Sequence, residues 1–192
     1  MNESVLYHVF NRGNNKQKIF FNDSNYRMFL GKIKRYIVPN CHLIAYCLMP
    51  NHFHLMVQAT ERSVSSVLVG AVPMTTFSFG IKTLLSTYAQ MINRQQRRTG
   101  SLFRQNTKVI ALQSAQLNLD YTQACFEYIH LNPISAKITN DIIDWPYSSI
   151  HEYLNLSEER LCNVHAGSRF VQSNYTRNSL GQGSMHALEI LK

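Results

Sequence analysis

The sequence predicts an α+β fold in which an antiparallel sheet carries helices on one face. Short runs rich in aromatic and β-branched residues predict strands, and longer segments with apolar residues every three or four positions predict helices. Clusters of glycine, proline and asparagine separate these segments. Hydrophobic residues make up 45% of the 192-residue chain, which is enough for one domain of ordinary size.

The predicted elements follow the order β-α-β-β-α-β, which is typical of a ferredoxin-like sheet. They are a strand at 5–10, a polar turn at 11–16, a helix from 23 or 24 to about 38, strands at 42–48 and 52–58, a helix from about 81 to 98, a strand at 103–112 and a helix at 116–131. Gly70, Pro73 and Gly80 interrupt the helical pattern of residues 60–80, so a short helix and a loop are predicted there. Pro133 is expected to stop the last helix. A C-terminal helical and irregular extension follows.

The charge of the chain favours a polyanionic partner. Lysine and arginine number 19 against 11 acidic residues, which gives a net charge of +8 and a pI near 9.5. No apolar run approaches the roughly 18–20 residues that cross a bilayer, and the N-terminus lacks the pattern of a signal peptide. Nucleic acid is therefore favoured over a membrane, and we expect a cytoplasmic, nucleoid-associated protein. The four cysteines are scattered and are interpreted as reduced thiols.

Two histidines flank one aromatic residue in the predicted strand at 52–58. Because side chains alternate along a strand, His52 and His54 point to one side, about 6–7 Å apart along the backbone, and Phe53 points to the other. Neutral imidazoles are good ligands for divalent metal ions. Two histidines alone form an incomplete site, and a pair that only packs or forms hydrogen bonds is the alternative.

Tyr128 lies in the last predicted helix and Asn132 directly follows it, so the two residues are four apart and can share one helical face. A tyrosine can attack a phosphodiester to form a covalent phosphotyrosine, and an amide oxygen can complete a metal site. Asn132 precedes Pro133, so its side chain is expected to project from a helix end. Tyr121 lies seven residues earlier on nearly the same face. It is the rival nucleophile, with a position in the core as its alternative role.

Together these motifs resemble a known family. The segments Tyr46-Cys-Leu-Met-Pro-Asn-His52-Phe-His54 and Tyr128-Ile-His-Leu-Asn132-Pro are similar to those of the single-tyrosine (Y1) HUH transposases related to IS200/IS605 elements. The resemblance is greatest to the tyrosine transposases associated with repetitive extragenic palindromes (REP). It runs from about residue 7 to 153 and implies a catalytic domain at 1–154 and an extension of unassigned role at 155–192. It also implies His52, His54 and Asn132 as metal ligands and Tyr128 as the nucleophile.

The activity that this resemblance implies is metal-assisted transesterification on DNA. Such enzymes use Mg²⁺ or Mn²⁺ to cleave and rejoin single-stranded DNA beside a hairpin, through a 5′-phosphotyrosine intermediate. The partner is thus hairpin-forming single-stranded DNA, and a monomer is favoured over a homodimer. The polar loop at 11–18 matches a family segment close to DNA, and later arginines and lysines could neutralise phosphates. The predicted DNA-binding residues are Asn11, Arg12, Asn14, Lys16, Lys18, Arg94, Arg97, Arg98, Arg104 and Lys108.

Other functions remain open at this point. Rolling-circle replication initiators place the tyrosine after the histidine pair, as here, and are a second enzyme hypothesis. Relaxases place the tyrosine before the pair, so the order in this chain disfavours them. A catalytically silent regulator that binds hairpin DNA is the alternative from another functional class.

Overall fold

A four-stranded antiparallel sheet forms the centre of the protein, as seen in a computed structural model that describes residues 1–112 and 121–171. The strands are β1 (Leu6–Arg12), β2 (Cys41–Met49), β3 (His52–Ala59), β4 (Ser66–Val69), β5 (Val72–Thr75) and β6 (Lys108–Ala111). The helices are α1 (Asp23–Tyr36), α2 (Glu61–Val64), α3 (Thr76–Gln95), α4 (Tyr121–Ser135), α5 (Ile150–Tyr153) and α6 (Val164–Gly167). The main sheet has the spatial order β2-β3-β1-β6, with antiparallel neighbours throughout. This is the ferredoxin-like arrangement, so the predicted fold class is confirmed.

Helices cover both faces of this sheet. On one face, α1 and α3 pack together, and the ring of Phe29 in α1 lies 5.2 Å from the ring of Phe53 in β3. On the other face, α4 packs on β2 and β3, where Tyr128 contacts His54. The expectation of helices on one face is therefore correct for α1 and α3 and wrong for α4. The physical reason is that β2 and β3 are buried along nearly their whole length on both faces.

The segment predicted as a short helix and loop contains a β-hairpin. Strands β4 and β5 pair around a turn at Gly70, whose φ of +63° is the left-handed conformation that glycine adopts most readily. Helix α3 then begins at residue 76, five residues before its predicted start, with the Thr75 side chain as its N-terminal cap. Gly80 lies inside α3 because a Cβ there would collide with the carbonyl oxygen of Tyr36 in α1.

Two further boundaries differ from the prediction. The fourth strand of the main sheet begins at Lys108 and not at 103, because residues 101–107 form a loop in which Phe103 is buried and bridges to Gly13. The predicted start of the last helix at 116 lies outside the described residues. Its predicted stop at Pro133 is wrong, since α4 continues to Ser135. Pro133 has no backbone N–H, so the last turn of α4 lacks the hydrogen bond to the Ile129 carbonyl oxygen.

The described part of the predicted C-terminal extension packs on the same core. Cys162 and Phe170 are buried, and the Phe170 ring lies 5.7 Å from that of Phe126 in α4. The backbone N–H groups of Leu161 and Cys162 donate to the buried Glu152 carboxylate at 2.9 and 2.8 Å. The domain boundary at 154 stays a prediction. Among the residues that the structure describes, no helix is long and apolar enough to cross a membrane.

A buried polar chain joins α4 to β2. Nε2 of His130 lies 2.8 Å from the Ser149 hydroxyl, which in turn accepts the backbone N–H of Tyr46 at 2.9 Å. His130 is fully buried, and this burial lowers its pKa to about 3. The ring is therefore neutral at pH 7. The contact between α4 and β2 thus depends on a buried neutral histidine, and protonation of this ring would destabilise the fold.

The titration of His130 predicts that the fold is sensitive to acid. An unfolded histidine titrates near pH 6.5, so a depressed folded pKa contributes stability that is present above that pH. This contribution is lost as the pH falls towards about 3. We expect His130→Gln to be less stable at pH 7 but to lose less free energy of unfolding between pH 7 and 4, as measured by urea unfolding. His165→Gln, at an exposed position, is the matched control and should keep the wild-type free energy of unfolding at pH 7. An equal loss in wild type and His130→Gln would contradict this explanation.

Candidate active site

The four residues predicted as metal ligands and nucleophile meet between β3 and α4. The ring centroids of His52 and His54 are 4.9 Å apart, and those of His54 and Tyr128 are 5.3 Å apart in an edge-to-face arrangement. Asn132 lies one turn beyond Tyr128 in α4 and is 8% exposed. Tyr121 lies two turns, or about 10 Å, further back along the helix. The structure thus places Tyr128, and not Tyr121, against the histidines.

The local fold explains how these side chains face each other. Strand β3 begins at His52, so the alternation of side chains sends His52 and His54 towards α4 and Phe53 towards α1. The Asn132 amide nitrogen donates to the Tyr128 carbonyl oxygen at 2.7 Å, which leaves its Oδ1 atom for the site. The expectation that Asn132 projects from a helix end is wrong, because α4 continues past the following proline.

Burial keeps the site electrically neutral before any ligand binds. It lowers the pKa of His52, and it lowers the pKa of His54 well below the usual value. Burial raises the pKa of Tyr128, and a hydrogen bond with the Asn132 side chain partly opposes this shift. Near pH 7 both imidazoles are therefore neutral, as a metal ligand must be, and the phenol keeps its proton.

Each imidazole uses Nδ1 in a hydrogen bond to a neighbouring side chain, and the Asn132 side chain is a further hydrogen-bond partner of His52. Nδ1 of His52 lies 2.6 Å from Oδ1 of Asn51, and Nδ1 of His54 lies 2.8 Å from Nε2 of His8. Nε2 of His54 is buried and has no hydrogen-bond partner among the described residues. Within residues 1–112 and 121–171, no three His, Cys, Asp or Glu side chains form a metal-binding group, so Asn132 would have to complete one. The unpaired Nε2 of His54, next to a His52 ring that the Asn132 side chain reaches, fits a divalent metal ion.

His8 is a site residue that the sequence reasoning missed. It is 1% exposed, its ring stacks on His54 with centroids 5.0 Å apart, and its centroid lies 5.9 Å from that of Tyr128 in an edge-to-face arrangement. Burial lowers the pKa of His8 to about 4. The available signal was a histidine in an apolar strand that alternates with Phe10 and Arg12. The signal was insufficient, because the register that pairs β1 with β3 is not visible in the sequence.

Three of the predicted DNA-binding residues lie beside this site. Arg12 is opposite His52 in the β1–β3 register and is half-buried. The backbone N–H of Arg104 donates to the Arg12 carbonyl oxygen at 2.9 Å. Lys108 pairs with Phe10, the residue opposite His54, so it lies on the same face two strands away, about 10 Å from β3.

The remaining predicted DNA-binding residues are further from the histidines. The loop that carries Asn14, Lys16 and Lys18 is exposed and is tied to the turn before β3 by a 2.7 Å bond from Gly13 N–H to the Asn51 carbonyl oxygen. At the C-terminal end of α3 and just after it lie exposed Arg94 and Arg97 and half-buried Arg98.

Asn11 differs from the other predicted DNA contacts. It is 4% exposed, and its amide nitrogen donates to the Arg104 carbonyl oxygen at 3.1 Å and to the Thr107 hydroxyl at 2.9 Å. Its amide therefore holds the loop at 101–107 and is not presented to solvent.

This fold and this site define a class of α+β proteins in which a histidine pair on a sheet faces a tyrosine on a helix. No family model matches the chain. A REP-associated tyrosine transposase of Haemophilus influenzae is 24% identical to it over 108 residues, a match covering 56% of this chain and 58% of that protein. The chain thus spans little more than half the length of that relative. A solved structure of a REP-associated tyrosine transposase bound to a REP hairpin is also similar, with a TM-score of 0.58 and 14% identity over 83% of this chain and 85% of the other. The resemblance predicted from the motifs is confirmed, and the structural match confirms the fold.

Proposed function

We propose that this protein is a transposase that cleaves and rejoins single-stranded DNA beside a hairpin, with Tyr128 as the nucleophile. The observation that carries this proposal is the contact of the Tyr128 ring with the buried, neutral His54, whose ring lies next to that of His52. The names of the two similar proteins support the choice of substrate, since both are REP-associated tyrosine transposases and one is bound to a REP hairpin. The excess of positive charge agrees with a DNA partner.

In the proposed reaction, the phenolic oxygen of Tyr128 attacks the phosphorus of a phosphodiester. A bond forms between phosphorus and the phenolic oxygen, and the bond from phosphorus to the 3′ oxygen breaks. The phenol loses its proton to solvent, and the leaving oxygen takes up a proton to become a free 3′ hydroxyl. One phosphodiester replaces another, so the energy of the bond is retained for rejoining by attack of a 3′ hydroxyl on the phosphotyrosine.

We propose that Nε2 of His52, Nε2 of His54 and Oδ1 of Asn132 hold Mg²⁺ or Mn²⁺. When bound, such an ion polarises the phosphate and neutralises charge that develops on its oxygens. Burial already keeps both imidazoles neutral, so neither has to lose a proton to act as a ligand near pH 7. Asn132 also donates to the Tyr128 carbonyl oxygen, which fixes its side chain relative to the nucleophile.

The proposed DNA path runs over the basic end of β1. Among the described residues, the ion pairs are Arg27–Asp23 and Lys34–Glu159, and neither uses a predicted DNA-binding residue. Arg12, Arg104 and Lys108 are therefore available to neutralise phosphates close to the histidine pair. Binding that depends on such contacts weakens steeply as the salt concentration rises.

Formation of a covalent adduct tests this function. Wild-type protein is mixed with Mn²⁺ and a pool of oligonucleotides that share a hairpin with randomised single-stranded flanks and carry a fluorophore at the 3′ end. A 5′-phosphotyrosine retains the 3′ fragment, so we expect a fluorescent protein band that survives denaturation in SDS. Tyr128→Phe should lose this band and keep hairpin binding, because it lacks only the attacking oxygen. Tyr121→Phe, the matched control in the same helix, should keep both.

The other outcomes are equally informative. An adduct that persists in Tyr128→Phe and disappears in Tyr121→Phe would assign the wrong tyrosine. Binding of the hairpin pool by the wild-type protein without any adduct would overturn the transposase proposal and support a catalytically silent regulator.

A further inference from the structure

We propose that His8 is a positioning residue that selects the metal-binding tautomer of His54. This inference rests on the proposed function, because it concerns the metal ligands of that site. Among the described residues, the His8 side chain forms no hydrogen bond to a proposed DNA-binding residue. His8 is also not itself a proposed metal ligand. Its role would be to receive a proton in a hydrogen bond, so that the opposite nitrogen of His54 is free for the ion.

The protonation of Nδ1 decides whether Nε2 of His54 can bind a metal ion, and His8 lies next to this Nδ1 atom. Nε2 of His8 lies 2.8 Å from Nδ1 of His54, and both rings are buried. Strands β1 and β3 fix this contact, since Phe10 is directly opposite His54 and His8 lies two residues away on the same face. Because Nε2 of His8 is directed at His54, it is not aimed at a shared metal position.

The count of protons shows why His8 matters. Two neutral imidazoles carry two protons on four nitrogens, and one of these protons lies in the bond between Nε2 of His8 and Nδ1 of His54. If His8 donates, the single ring proton of His54 stands on its Nε2, which then cannot bind a metal ion. If His54 donates, Nε2 of His54 is a free lone pair and the second proton moves to Nδ1 of His8. Metal binding therefore requires His8 to act as the acceptor.

His52 shows the contrasting arrangement at the same site. Its Nδ1 atom lies 2.6 Å from Oδ1 of Asn51, and a carboxamide oxygen can only accept. The tautomer of His52 is therefore fixed by its neighbour before any ion arrives. The tautomer of His54 is not fixed in this way, because its neighbour is another imidazole. In the metal-free protein, the proton that is not shared between the two rings stands on either Nε2 of His54 or Nδ1 of His8. Both atoms are buried without a partner among the described residues.

The test compares two replacements at position 8. His8→Phe keeps a ring of similar shape and removes the acceptor, whereas His8→Gln removes the ring and supplies a carboxamide oxygen at a similar reach. We expect His8→Phe to weaken Mn²⁺ binding by about 10- to 100-fold, the usual effect of losing a group that orients a metal ligand. We expect His8→Gln to bind Mn²⁺ nearly as wild type does, measured by titration calorimetry. A role in packing alone predicts the reverse order, since phenylalanine is the better match for a buried, stacked ring.

A second measurement uses the wild-type protein and does not depend on how the variants fold. In ¹⁵N-histidine NMR with saturating Mg²⁺, His54 should carry its proton on Nδ1 and His8 on its own Nδ1. Mn²⁺ binding by His8→Phe at the wild-type affinity, or a proton on Nε2 of His54 in the Mg²⁺ complex, would overturn the inference alone. Absence of Mn²⁺ binding and of the DNA adduct in the wild type would instead overturn the proposed function.

Discussion

Replacement of His52 by alanine is expected to reduce strand cleavage at least about 100-fold, which is the typical cost of removing one group that stabilises the transition state. The reason is that Nε2 of His52 is the better fixed of the two proposed nitrogen ligands, since Asn51 already holds the other nitrogen at 2.6 Å. His52 is only half-buried at the start of β3, so the loss of its side chain should cost little stability. Hairpin binding should remain almost unchanged, because the proposed phosphate contacts come from β1, β6 and neighbouring loops.

The experiment measures both properties on the same preparation. Cleavage of the hairpin pool is followed with Mn²⁺ on denaturing gels, and binding is followed by fluorescence anisotropy without metal. His42→Ala is the matched control, because His42 is an exposed histidine at the far end of the paired strand β2. It should keep cleavage and binding. If His52→Ala loses binding and cleavage to the same extent, the histidine supports the fold and is not a ligand.

The histidine pair and the tyrosine could be placed from the sequence because each depends on a local rule. Alternation along one strand is enough to put His52 and His54 on one side, and helical spacing is enough to join Tyr128 to Asn132. The order of strands also follows from chain connectivity, since β-α-β-β-α-β chains favour one antiparallel arrangement. What the local rules could not give was which face α4 would cover.

The features that were missed depend on contacts between distant segments. His8 joins the site only because β1 pairs with β3 in one register, with Phe10 opposite His54. The sequence pattern predicts a break at Gly80, but this glycine lies within α3 because the backbone of α1 comes close at Tyr36. In each case a tertiary contact overrides the local preference of the residue.

Two other differences have the same origin. The residue before a proline usually avoids helical geometry, yet Asn132 stays in α4, where it and Leu131 are buried against the rest of the protein. The β4–β5 hairpin contains Pro73, which is tolerated because this sheet has two strands and therefore only edge strands. Burial and edge position are properties of the folded chain. The sequence pattern alone therefore predicted a helix end at Asn132 and no strand at Pro73.

Replacement of Phe53 by alanine should produce the largest loss of stability among these variants. Phe53 is fully buried, and its ring lies 5.2 Å from Phe29 in α1 and 6.2 Å from Phe103 in the loop before β6. Truncation of such a ring removes buried apolar surface and leaves a cavity, at a cost of about 3–5 kcal/mol. For a chain of this size the melting temperature should fall by roughly 6–20 °C. Phe21→Ala, at a ring that is 42% exposed, should change the free energy of unfolding by only about 0.5 kcal/mol.

The same variant separates the stability of the sheet from the chemistry of the site. Phe53 lies between His52 and His54 in sequence but points to the opposite face, towards α1. We therefore expect the fraction of Phe53→Ala molecules that remains folded at 20 °C to cleave the hairpin pool at a rate close to that of the wild type. Calorimetry gives the folded fraction, and the gel assay gives the rate. A melting temperature equal to that of wild type would contradict the packing described for the α1 face. A large loss of rate in fully folded protein would mean that packing on that face also sets the spacing of the two imidazoles.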